Sequence, residues 1–237
     1  MCGRFTLTVT WEELLTRYLI DPELLTPFHV PRYNIAPTQM VTAIINDGTA
    51  NRIGQLQWGL VPSWSKDAAA SAKMMNARSE TLEEKPAYRI PFYRKRCLIP
   101  ADGFYEWQKT DIGKQPYRIS LRSGEIFSMA GLYDTWITPS GERLSTCTVI
   151  TTEPNELMAP IHNRMPVILK RSDEALWLKR NPLSGGNQEP DRSSLEAMKN
   201  LLQPYPDREL QAVPVSTTVN SVKNDSAECI RRVSGSD

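Results

Sequence analysis

Hydrophobic positions along the chain fall mostly into short runs and period-two alternations, and only a few places show helical spacing. Trp11, Leu14, Leu15 and Tyr18 recur at i, i+3, i+4 and i+7, which predicts a helix over Thr10–Tyr18. Thr10 and Glu13 supply its capping box. Val41–Ile45 and Ile53–Leu60 read as two strands joined at the turn signal Asn46-Asp47-Gly48. The apolar run Cys97-Leu98-Ile99-Pro100 reads as a strand leading to Asp102–Trp107. Tyr117–Leu121, Ile126–Leu132 and Cys147–Thr151 follow as strands, with Gly124, Pro139 and Gly141 at the turns between them. Ser172–Leu178 and Ser193–Leu202 are expected as short helices, the second capped by a Ser193/Glu196 box, and Leu210–Val215 as a last strand.

Between these elements the chain is punctuated. Pro22, Pro27 and Pro31 break it into loop, and Arg32–Pro37 reads as a polar-aromatic loop. Residues 181–191 form a Pro-, Gly- and Asn-rich surface loop, and the tail over about 230–237 is expected to fray. Arg94-Lys95-Arg96 has the look of a solvated edge. There is no repeat and no linker, so residues 1–237 are expected to form a single domain. Many short strands with few helices predict an α+β fold: a curled mixed β-sheet or barrel-like core with peripheral helices.

Composition narrows the class. The chain has 237 residues, 40% hydrophobic and 23% charged, with a net charge of +1, so any contact with nucleic acid must come from a local patch. Cys2, Cys97, Cys147 and Cys229 lie far apart, and His29 and His162 are the two histidines, so neither a zinc site nor another metal or cofactor is expected. No segment has the roughly 20 apolar residues of a membrane span, and without a positive flank and apolar core the opening residues are not expected to act as a secretory signal. The expectation is a monomer in a reducing, cytoplasmic compartment.

The candidate chemistry starts at Met1-Cys2-Gly3-Arg4. Removal of Met1 would leave Cys2 with a free α-amine, of pKa about 7.7–8, beside its own thiol. An aldehyde meeting that pair forms an imine, onto which the sulfur can close as a thiazolidine. Arg4 is a nearby cation that would favour the thiolate. Glu106 lies between Tyr105 and Trp107. Aromatic neighbours can desolvate a carboxyl and raise its pKa, which suits an acid–base group; period-two alternation would instead put it on a wet strand face. Asn76-Ala77-Arg78-Ser79-Glu80-Thr81 could hold an acceptor and an anion, or be a solvated turn. His162 lies ahead of an apolar run, where a histidine is structural or catalytic. Trp58 reads as packed, and Trp64, after Pro62 and Ser63, as an exposed platform for a base.

Taken together, these stretches resemble the SRAP (SOS response-associated peptidase) family, typified by abasic-site shielding proteins. The carriers are Met1–Phe5, Arg32–Pro37, Trp58–Pro62, Asn76–Glu80, Ala101–Trp107, Ile161–Pro166 and Val219–Asn224, in order along nearly the whole chain. The resemblance implies a domain that binds abasic sites in single-stranded DNA and forms a covalent thiazolidine crosslink through Cys2, shielding the lesion from strand cleavage. It implies acid–base roles for Glu106 and His162 and a holding role for Asn76. It also implies DNA contacts from Arg4, Asn34, Pro37, Trp64, Arg78, Arg164 and Met165, and an associated peptidase activity that removes Met1. The competing readings are a cysteine amidohydrolase or peptidase with an N-terminal nucleophile, and a non-catalytic single-strand-binding module.

Overall fold

The computed structural model describes residues 2–23, 25–68, 71–111, 113–180 and 191–233. The first element is a three-residue buried strand, Phe5–Leu7 (β1). Helix α1 (Trp11–Tyr18) follows with the predicted box: the Glu13 amide donates to the Thr10 hydroxyl at 3.2 Å, and the Thr10 amide donates to the Glu13 carboxylate at 2.7 Å. Its buried face is Trp11, Leu14, Leu15 and Tyr18. Arg32–Ile35, expected as loop, is strand β2. It pairs antiparallel with β1, and that ladder outweighs its polar composition. Met40–Asn46 (β3) and Asn51–Trp58 (β4) form the expected hairpin.

Asn76–Arg78 is a short strand, β5, rather than a turn. Pro86–Arg94 is a helix, α2, that the sequence does not announce, with a proline at its first position, Pro91 inside it and no apolar stripe. Arg96–Ala101 is β6. The Arg94–Arg96 run is not the solvated edge it resembles. Arg96 is 5% exposed, and its guanidinium donates to the carbonyls of Phe92, Tyr93, Trp177 and Lys179. Gly103–Thr110 (β7), Gly113–Leu121 (β8), Phe127–Ile137 (β9) and Arg143–Thr152 (β10) extend the predicted strands, and Met165–Pro166 (β11) and Ile168–Leu169 (β12) follow. Glu174–Leu178 (α3), Arg192–Asn200 (α4) and Leu210–Pro214 (β13) complete the chain. The cap of α4 is Asp191, which accepts from the Ser194 amide at 3.0 Å; Ser193 and Glu196 do not form the predicted box. Residues 181–190 of the predicted loop and 234–237 of the predicted tail lie outside the described residues. Up to that limit the chain is held, with Arg232 bridged to Val215 and the Val233 amide donating to Pro214.

The fold is α+β. Strands β3, β4, β10, β9 and β6 pair in a closed ring, with β4 and β10 parallel and the other neighbours antiparallel. This is the curled mixed sheet of the sequence reading. A second, antiparallel sheet runs β13-β8-β7-β1-β2. One contiguous core joins the two sheets, with Trp58 buried edge-on against Phe5 at 5.2 Å. Directly after Trp58 the chain leaves β4 through Gly59 at φ +129°, where a Cβ would stand 2.5 Å from the Ser71 carbonyl oxygen.

Gly59→Ala therefore meets both an unfavourable φ and a backbone clash. It is expected to cost about 2–3 kcal/mol, read as a Tm about 4 °C lower or more in thermal unfolding. An unchanged Tm would mean that the turn relaxes freely.

Candidate active site

Two strand pairings build the site. The first extends β1 against β7. Phe5 faces Phe104, and one step further out the Tyr105 amide donates to the Arg4 carbonyl at 2.9 Å, so the chain's opening residues run alongside Tyr105–Trp107. The second is the end of β10, which has a neighbour on each side. Val149, Ile150 and Thr151 pair with Asn76, Ala77 and Arg78 of β5, while Thr151 and Thr152 pair with Pro166 and Met165 of β11. Asn76 and the His162–Arg164 loop are thereby brought to one end of the ring, although 86 positions separate Asn76 from His162. Asn76 Nδ2 links the two sheets by donating to the Cys2 carbonyl at 2.9 Å, and its Oδ1 has no hydrogen-bond partner among the described residues.

Glu106 is buried, 3% exposed, and does not lie on a wet face. Loss of hydration pushes its pKa up to about 7. His162 Nε2 stands 3.9 Å from Glu106 Oε2. His162 Nδ1 lies 3.0 Å from the Arg164 amide nitrogen and 3.3 Å from the Arg164 carbonyl oxygen, so the loop backbone fixes the ring and leaves Nε2 facing the carboxyl. Burial also lowers the His162 pKa, which favours the neutral ring. Near neutral pH the pair thus offers a carboxyl able to give or take a proton, beside a neutral imidazole.

Cys2 is fully enclosed, and burial, reinforced by the nearby Glu106 charge, raises its thiol pKa. The expectation that Arg4 promotes a thiolate is not met, because the Arg4 guanidinium points elsewhere. It donates to Asn34 Oδ1 and the Val219 carbonyl, each at 2.8 Å, and lies 5.8 Å from the centre of the Trp107 ring.

The expected DNA contacts divide into two groups. Trp64 is 67% exposed, Arg78 is exposed and Pro37 half-buried. Trp64 and Arg78 share a shallow cavity of about 380 Å³ with Met74, Asn76, Pro86 and Tyr88, so this cavity adjoins the site through Asn76. Asn34 and Met165, expected as contacts, are fully buried and expose no side chain in this structure. Asn34 sits under the backbone of the 219–224 loop, and Met165 in β11 faces the core. Arg164 is engaged as well: it donates to both Glu80 oxygens, at 2.6 and 2.9 Å, and to the Thr151 carbonyl at 2.6 Å. Glu80 is the partner that the sequence reading missed. The two charges lie 84 positions apart, so no local spacing could pair them.

Among the described residues no cluster of His, Cys, Asp and Glu could hold a metal ion, and no helix is long and apolar enough to cross a membrane. A cavity of about 340 Å³ near Arg17, Glu125 and Tyr205 shares no residue with this site.

A family model, SOS response associated peptidase (SRAP), matches residues 1–222. The chain is 50% identical over 231 residues to the abasic site processing protein YoqW of Bacillus subtilis (strain 168), covering 97% of this chain and 99% of the relative. It is 37% identical over 233 residues to the abasic site processing protein HMCES of Gallus gallus, covering 84% of this chain and 66% of the relative. A crystal structure of a protein from Bacteroides thetaiotaomicron matches with a TM-score of 0.83 at 27% identity, covering 98% of this chain and all of that one.

The raised pKa of Glu106 has a consequence for stability. The folded chain binds this proton more tightly than the unfolded chain, so from pH about 4.5 to about 7 stability falls as pH rises. Glu106→Gln removes that penalty. Relative to the parent it is expected to be more stable above pH 7, by up to about 3 kcal/mol, with the difference vanishing in the acid range. Urea unfolding at a series of pH values reads it, and parallel stability curves for the two proteins would contradict the burial argument.

Proposed function

This chain belongs to the SOS response-associated peptidase family, and from that premise we propose that it processes abasic sites in single-stranded DNA by forming a thiazolidine crosslink through Cys2. The observation that carries the reading is the convergence at the chain's opening residues: Asn76 bonded to the Cys2 backbone, and a buried Glu106 paired with His162 beside it. The reading requires loss of Met1, because a nitrogen in a peptide bond is not a nucleophile.

The chemistry then follows a fixed order. The buried thiol holds its proton, so the α-amine attacks first, adding to C1′ of the ring-opened deoxyribose to give a carbinolamine. Protonated Glu106 gives its proton to the departing hydroxyl, which leaves as water, and an iminium remains. Sulfur attacks the iminium carbon, the thiol proton passes to the Glu106 carboxylate, and the electron pair of the C=N bond returns to nitrogen. One carboxyl with a pKa near 7 can serve both halves, and positioned acid–base help of this kind is worth about 10²–10⁴-fold. An open imine next to the sugar can eliminate the 3′ phosphate; ring closure competes with that cleavage and protects the strand. Neutral His162, with Nε2 3.9 Å from Glu106, adds no competing charge beside the carboxyl.

Trp64 and Arg78, exposed beside Asn76, are the groups proposed to meet the flanking nucleotides, by stacking and by phosphate neutralisation. The four cysteines are all free thiols, which suits a reducing, cytoplasmic setting.

On abasic single-stranded DNA, Cys2→Ala is expected to lose the crosslink that survives denaturation while still binding undamaged strand; a surviving stable crosslink would refute the role of Cys2. Mass measurement of the purified protein is expected to find Met1 absent, and its retention in crosslinking-competent protein would sink the amine mechanism. With few free cations near the site, the salt dependence of strand binding is expected to be shallow, and Arg78→Ala is expected to lower the log–log slope by about 0.7–1. An unchanged slope would take Arg78 off the strand's path.

A further inference from the structure

The chain's opening residues are held from behind by a segment more than 200 positions away. Val219 and Asn220 end a short 3-10 turn, and their carbonyls accept from the Arg4 guanidinium at 2.8 and 3.3 Å. Asn34, with no exposed surface, sits beneath them. Its Oδ1 accepts from Arg4, and its Nδ2 donates to the carbonyls of Val219, Ser221 and Asn224 at 3.2, 2.9 and 2.7 Å. Two N–H bonds serving three acceptors leave the Asn34 NH2 no donor for any other ligand. Asp225 closes the far side, accepting from the amides of Tyr33 and Asn34 at 2.5 and 2.9 Å and from the Arg32 side chain. On the near side the Trp107 indole donates to Asn220 Oδ1 at 2.7 Å. Val219 also packs with Tyr105, Val215 and Cys229 in a small apolar cluster separate from the main core.

The arrangement runs in one direction. The 219–225 segment is fixed to β2 through Asn34 and Asp225, and Arg4 is fixed to that segment. Arg4 is separated from Cys2 by a single glycine, which has no side chain to hold it. Ahead of Arg4, Cys2 is packed into the main core, and the side-chain bond that reaches its backbone is the one from Asn76 to its carbonyl.

We propose that residues Val219–Asp225 form a positioning strap for the nucleophile, with Asn34 as its rivet and Arg4 as the link that sets where Cys2 stands relative to Glu106. Asn34 and Arg4 then act through Cys2 rather than on DNA. The inference rests on the abasic-site reading for its catalytic consequence but not for its structural one. A misplacement of about 1 Å at a reacting group can cost about 10²-fold in rate.

The test uses the full-length protein with Met1 removed. Asn34→Ala loosens the rivet, and Asp225→Ala, at a more exposed position, loosens the strap if the first variant does not fold. Amide hydrogen exchange on the free protein is expected to speed up over residues 3–7 in both variants and to stay unchanged in β9. Single-turnover crosslinking at saturating abasic strand is expected to slow by about 10–100-fold, with the affinity for undamaged strand retained. Unchanged exchange at residues 3–7 would overturn the strap, and so would a lost affinity with an unchanged rate, which would make Asn34 and Arg4 part of the DNA surface. If the parent protein forms no crosslink at all, the abasic-site reading fails, and the exchange data still decide whether the strap holds the chain's opening residues.

Discussion

Glu106 is buried on strand β7, and taking a carboxyl out of water costs free energy that protonation or pairing relieves. The surrounding structure follows from that constraint. The carboxyl faces an imidazole whose other nitrogen is held by the Arg164 backbone, so the ring is presented in one orientation. It stands next to a thiol that the same burial keeps protonated. Acid–base capacity near neutral pH is thus concentrated in one group, beside a thiol that holds its proton.

The scaffold that holds this arrangement is a matter of pairing rather than of side-chain selection. The end of β10 is hydrogen-bonded on both edges, which brings Asn76 and the His162 loop to one place, while the β1–β7 ladder brings in the chain's opening residues and Glu106. Paired strands with a buried core between them are stiff, which suits a site whose parts must stay aligned. The cations nearest the site take part in the same architecture. Arg4 and Arg164 hold backbone and carboxylate, which leaves Arg78 exposed beside Trp64.

Much of the fold was legible. The Thr10/Glu13 box, the β3–β4 hairpin and the long strands from Gly103 to Thr152 each follow from local spacing and turn chemistry. The misses have physical causes. Strands β2 and β5 are polar and exist because a neighbour pairs with them. Helix α2 carries two prolines and no stripe, and Arg96 finds four carbonyls inside the protein that no sequence window contains. Among the site residues, Cys2, Asn76, Glu106 and His162 were singled out by residue type and by resemblance. Asn34 and Met165 were expected as DNA contacts and lie in the interior, and the pairing of Glu80 with Arg164 went unnoticed because the two are remote in sequence.

The amino-acid sequence by itself determined the α+β class, the periodic elements and the set of groups able to do carbonyl chemistry, because those depend on residue type and near neighbours. Only the tertiary structure decided that Glu106 is buried rather than wet, that Arg4 turns away from Cys2, and that the 219–225 segment closes over the chain's opening residues. Desolvation and long-range hydrogen bonding depend on which surfaces meet, and that is set by pairings between strands far apart along the chain.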